Sequence, residues 1–113
     1  MEKHTNATDI LDRAAQHMED RATAYDAPGG ERSMAGTVEA FNALTPHSLT
    51  EEQGWLFMVL LKCSRCQQGD YRDDNYEDGT AYMSLMGEAA SVERQPQYPS
   101  GMVSDAVAYS LDR

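Results

Sequence analysis

Seven apolar residues in an unbroken row, Trp55-Leu56-Phe57-Met58-Val59-Leu60-Leu61, constrain this chain more than any other feature. Such a run offers water no face, so it belongs to a central helix or a buried strand, and periodicity alone does not separate the two. The residues before it decide. Thr50 followed by Glu51, Glu52 and Gln53 has capping-box form: a hydroxyl that accepts from the third amide of a helix, and an amide side chain that reaches back. Lys62, Arg65 and Gln67 continue the segment to Gln68, and Gly69 stands where a helix stops. This length is long for a strand and predicts a helix wrapped by its neighbours on all sides.

Three further helices supply the wrapping. From Ala7 to Ala24 the apolar positions Ile10, Leu11, Ala14, Ala15, Met18 and Ala22 recur at helical spacing, while Asp12, Arg13, Glu19 and Asp20 fall on a solvated face. Asn6 or Thr8 serves as its cap. Ser33 caps a second helix with Met34, Val38, Phe41 and Leu44 as its inner side, broken at Thr45-Pro46-His47-Ser48. The fourth starts near Asp73 or Asp74, with Glu77 in capping-box position, and its inner stripe is Tyr82, Met83, Met86, Ala89 and Ala90, flanked by Leu85. The expected fold class is all-α: a compact bundle of four core helices over 6–91. Residues 92–113 follow as a partly mobile extension, a Gln- and Pro-rich linker leading to a short helix with Val103, Val107 and Leu111 as an apolar stripe.

Composition narrows function by exclusion. In 113 residues there are 19 Asp plus Glu against 9 Lys plus Arg, a formal charge of −10, which repels phosphate backbones and disfavours duplex nucleic acid. The longest apolar run is far below the roughly 20 residues of a membrane span, and the N-terminal stretch lacks signal-peptide character. Two cysteines make no disulfide framework, so a reducing, cytoplasmic setting is expected.

The candidate chemistry concentrates on one polar cluster: Lys62, Arg65, Asp70, Asp74, Glu77, Asp78 and Tyr82. Lys62 and Arg65 share a face of one helix, and Asp74 and Asp78 share a face of the next. The cluster is either an ion-pair network that anchors the helical hairpin, or a pocket in which carboxylates hold a divalent cation while the cations meet phosphates. A second candidate is an anion loop with Arg21, Gly29, Gly30 and Arg32 ahead of a helix N-terminus, opposed by Glu31. Cys63 and Cys66 share a helical face, but zinc needs two more ligands and only His47 stands near, so they read as small residues at a helix interface. No arrangement of His and Ser makes a nucleophile and its base.

The order of these features resembles a small phage- and prophage-encoded family of unknown function over about residues 8 to 90. It is carried by Asp20-Arg21 through Tyr25-Asp26, Val38-Glu39-Ala40-Phe41, Leu60-Leu61-Lys62 with Arg65, Asp74-Asn75-Tyr76-Glu77-Asp78, and Ala81-Tyr82. That family is similar in helical layout to the MazG-like all-alpha nucleotide pyrophosphohydrolases, whose magnesium is held by acidic motifs on two helices. The resemblance implies either such an enzyme, with Asp74 and Asp78 on magnesium and Lys62 and Arg65 on a triphosphate, or a descendant that has lost the activity. This chain departs from the pattern by placing Lys62 and Arg65 where the first acidic pair belongs, and such cations neutralise carboxylates rather than join them on a metal.

The expectation is therefore a non-catalytic, phage-type accessory protein without a cofactor. It binds a host protein with a basic surface through its acidic and apolar surface, inhibits a host defence or regulatory system, and forms a homodimer in the host cytoplasm. The alternatives are the magnesium-dependent pyrophosphohydrolase and the capture of a nucleotide signal without hydrolysis.

Overall fold

The computed structural model describes residues 4–25 and 33–95, and within them every regular element is helical. Helix α1 spans Ala7–Tyr25, α2 Ser33–Leu44, α3 Glu51–Cys66 and α4 Asp73–Glu93, an all-α bundle of four helices as the sequence predicts. Residues 96–113, which hold the linker and the Val103, Val107 and Leu111 stripe, lie outside the described residues, as does the anion loop over 26–32.

The α3–α4 hairpin is the spine. Thr50 caps α3 as expected, its hydroxyl accepting from Gln53 N–H while the Gln53 side chain accepts from the Thr50 N–H. At the other end Gly69 takes φ +66°, a left-handed conformation that costs a residue with a Cβ, and the chain reverses. The far ends of the antiparallel pair are tied by Arg94, which donates to both carboxylate oxygens of Glu52 at 2.7 and 2.9 Å, and by Glu93, which accepts from the Glu52 amide. Helix α1 lies along α4, and α2 lies across the start of α3.

Small and large residues interlock at the centre. Trp55 of α3, Leu85 and Ala89 of α4, and Met34 and Val38 of α2 are buried together, with Met18, Leu49, Met58, Tyr82 and Met86 packed around them. Gly54 is what lets α2 approach: a Cβ built there would stand 2.5 Å from Met34 Sδ and 2.8 Å from Val38 Cγ1.

Three sequence expectations need correction. Helix α3 is not wrapped on all sides, because α1 and α2 cover one flank of the hairpin only, and Leu56, Phe57 and Leu60 stay exposed on the other. Helix α4 buries Ala81, Leu85 and Ala89, so Leu85 is core rather than flank, and Met83, expected inside, points outward. Phe41 and Leu44 of α2 are also exposed, since α2 packs on α3 through its first two turns.

Two glycine substitutions separate packing from helix propensity. Gly54→Ala gains about 1 kcal/mol of propensity but overpacks a filled site, where the cost is about 1–3 kcal/mol. It is expected to lower the urea midpoint. Gly87→Ala, with open space around its Cβ position, is expected to raise it by an amount corresponding to about 0.5–1 kcal/mol.

Candidate functional site

A seam of charge runs where α1 lies along α4. Helix α1 presents Arg13, His17 and Arg21 at intervals of four, one side chain per turn on one face. Helix α4 presents Asp73, Glu77 and Asp78. The pairings climb both helices together, so the two run parallel. Arg13 Nη1 lies 3.2 Å from Asp73 and 3.4 Å from Glu77, His17 Nε2 2.7 Å from Glu77, and Arg21 Nη2 3.2 Å from Asp78. Below them Thr5 donates from its hydroxyl to Asp73 at 3.1 Å. Helix α3 closes the seam with Lys62, whose Nζ lies 3.0 Å from Asp78 Oδ2. Asp78 thus binds two cations from two helices.

Burial gives these contacts their weight. Lys62 is 8% exposed and Glu77 5%, and charges so enclosed are tolerated only when paired. Tyr82 connects the seam to the apolar core: its ring stacks on Trp55 at 5.5 Å, and the Arg21 guanidinium stands 5.5 Å from its centroid.

At the open end of the seam the carboxylates are held charged. The Tyr71 hydroxyl is the main cause that pulls Asp73 below the ordinary aspartate range, with Thr5 and Arg13 adding, and Asp73 in return raises Tyr71. Asp74 is lowered chiefly by Arg72, its neighbour two residues back, through hydrogen bonds of 3.1 and 3.4 Å.

The polar cluster read from the sequence is therefore only partly brought together. Lys62, Asp78, Glu77 and Tyr82 meet at the seam. Asp74 turns to Arg72, while Arg65 and Asp70 are exposed, so the Lys62–Arg65 pair does not face Asp74 and Asp78 as a unit. Glu77 does not close a capping box on Asp74. The N-cap is Arg72, which makes no side-chain cap bond, and Glu77 is buried against Arg13 and His17 instead. Arg21 belongs to the seam rather than to an anion loop, and Gly29, Gly30 and Arg32 lie outside the described residues. Sequence reasoning missed Arg13 and His17, having placed Arg13 on a solvated face. The available signal was the four-residue spacing of Arg13, His17 and Arg21.

The opposite flank of the hairpin is apolar. A groove of about 560 Å³ lies between α3 and α4, lined by Val59, Cys63, Cys66, Tyr76 and Met83. Both cysteines are free thiols on this groove rather than filler between packed helices, and the Cys66 sulfur raises the Tyr76 phenol through a hydrogen bond. Among the described residues no group of three or more His, Cys, Asp or Glu is placed to hold a metal ion. No helix among them is long and apolar enough to cross a membrane.

A family model described as "Domain of unknown function (DUF6378)" matches residues 9–90, nearly the whole four-helix unit. The chain belongs to the DUF6378 family. The matched span takes in every residue of the DUF6378 seam from Arg13 to Tyr82, together with the apolar groove. No curated protein and no solved structure matches the chain.

Two predictions concern the seam. Asp78→Ala strands Lys62 as a buried charge without its partner and is expected to cost about 3 kcal/mol in urea unfolding at neutral pH. Lys62→Met is expected to cost clearly less, because Asp78 keeps Arg21 and the new side chain fills the same space. Asp73 is lowered in the folded state, so its stabilisation is present above the ordinary aspartate value of about 3.9 and is lost as pH falls through its depressed native value. The stability difference between the wild-type chain and Asp73→Asn is therefore expected to be constant near neutrality and to close below about pH 4.

Proposed function

We propose that this DUF6378 protein is a non-catalytic binding module that engages a partner protein through the exposed flank of its α3–α4 hairpin. The observation that carries this reading is the apolar surface there: Phe57 is 69%, Leu60 57% and Met83 54% exposed, beside the groove of Val59 and Tyr76. A contiguous exposed apolar surface on a small protein marks a docking site more often than an accident of folding. The seam supports the non-catalytic half. Asp73, Glu77 and Asp78 are each taken up by cations of the same chain, whereas a magnesium site needs carboxylate oxygens free to converge.

The partner is a protein with a basic rim around an apolar centre. A charge of −10 steers such a surface in and sets two copies of this chain against each other, which disfavours the homodimer as occupant of the same face. The finer reading is a phage-type accessory protein whose partner belongs to a host defence or regulatory system. Its support is the sequence resemblance together with the excess of acid.

Cross-linking the tagged full chain in its own cells is expected to recover one basic protein, released by raised salt and lost in Phe57→Asp/Leu60→Asp. Both positions are exposed, so the fold should survive, and circular dichroism checks that it does. Self-association that strengthens with salt, with no second protein recovered, would replace the partner with a second copy. Release of pyrophosphate from nucleoside triphosphates and magnesium, abolished by Asp78→Ala, would replace the module with the hydrolase.

A further inference from the structure

Two contacts mark the register in which α3 and α4 face each other across the apolar groove. A Cβ on Gly79 would stand 3.5 Å from Lys62 Cβ, and the Tyr76 hydroxyl is hydrogen-bonded to the Cys66 sulfur. Continued along the antiparallel pair, this register sets Met83 about level with Val59, one turn before Cys63. Cys63, Cys66 and Met83 all line the groove, so three sulfur-bearing side chains share one cleft of about 560 Å³. The tilt of helical side chains brings them closer. Each leans toward the start of its own helix, and because the helices are antiparallel, Met83 leans toward Cys63 while both cysteines lean toward Met83.

The two free thiols are not placed for a disulfide. Residues three apart on a helix hold their Cβ atoms about 5–6 Å apart, whereas a disulfide needs about 3.5–4.5 Å. A metal ion bridges the longer span, since two thiolate bonds of about 2.3 Å each reach across sulfurs roughly 4 Å apart. Helix geometry thus favours a held ion over a crosslink.

The donors decide which ion. No His, Asp or Glu lines the groove, so zinc would find two of its four ligands, and calcium or magnesium would find no carboxylate oxygen. Thiolate and thioether sulfur together select a soft cation, and copper(I) is the biological one that takes both. The third donor is a thioether rather than a His, Cys, Asp or Glu group, of which no three gather among the described residues. Lys62, the charged residue of the lining, does not oppose a cation strongly, because its ammonium is bound by Asp78 in the seam. Tyr76 donates to the Cys66 sulfur from outside the donor set, the kind of contact that orients a metal ligand. A formal charge of −10 draws cations to the chain.

We propose that Cys63, Cys66 and Met83 bind one copper(I) ion, with the two thiolates as main ligands and the Met83 thioether as the third. Binding releases the two thiol protons to solvent and leaves the oxidation state of copper unchanged. The site adjoins the docking flank through Met83, but it holds whether or not that flank has a partner.

The test is an anaerobic competition of the reduced full chain against a chromophoric copper(I) chelator, with X-ray absorption at the copper edge counting the sulfur neighbours. The expected result is one ion per chain with three sulfur neighbours. Cys63→Ser/Cys66→Ser is expected to lose the ion, and Met83→Leu to keep two sulfur neighbours and bind about tenfold more weakly. Cys63 and Met83 are exposed and Cys66 is half-buried, so these variants should fold, and circular dichroism checks that they do. Met86→Leu, which replaces a methionine packed on the core, should bind as the wild type does. No uptake by the wild-type chain, equal uptake by the double serine variant, an unchanged sulfur count in Met83→Leu, or one ion shared between two chains would overturn the proposal.

Discussion

Everything in this fold leans on the double engagement of one carboxylate. Asp78 binds Lys62 of α3 and Arg21 of α1, so a single side chain of α4 fixes both of its neighbours. The geometry suits a buried site: two cations share one anion, and Glu77, one residue earlier, takes the remaining basic groups of α1. Without this seam α1 would rest on α4 through Ala14, Met18 and little else, because most of its side chains face water. Ion pairs of this kind contribute less to net stability than their Coulomb energy suggests, but they penalise every arrangement in which one partner is buried alone. Their main effect is to fix how α1 sits on α4.

The hairpin consequently has two unlike sides. Toward α1 and α2 it carries Trp55, Leu85, the half-buried Tyr82 and the buried part of the charged seam, Lys62 and Glu77. Away from them it carries Leu60, Phe57, Met83 and the groove of Val59 and Tyr76, all reachable. The same imbalance separates the carboxylates from the surface that is open to partners: the acidic groups that would be needed for metal chemistry are closed by basic groups of the chain itself, while the uncovered apolar flank is free.

Local hydrogen bonding was legible at both ends of α3. Thr50 and Gln53 cap α3 through contacts three residues apart, and Gly69 ends the hairpin's first arm through its own backbone freedom, so neither depends on anything distant. Less legible was the direction in which apolar residues face, since burial of Met83 or Phe57 depends on whether another helix arrives to cover them. Asp74 and Asp78, alike in the sequence, have different fates because one lies within reach of Arg72 and the other beneath α1.

By itself the sequence determined the four helices of the described residues, about where each one starts, and that a surplus of acid must be met by few cations, because caps, periodicity and composition act within one or two turns. Only the tertiary structure decided which cation meets which acid. Arg13, His17 and Arg21 find their partners 57 to 64 residues away, and no local rule reaches that far. The same packing chose which flank of the hairpin stayed bare, since α1 and α2 both lie on one side of the pair.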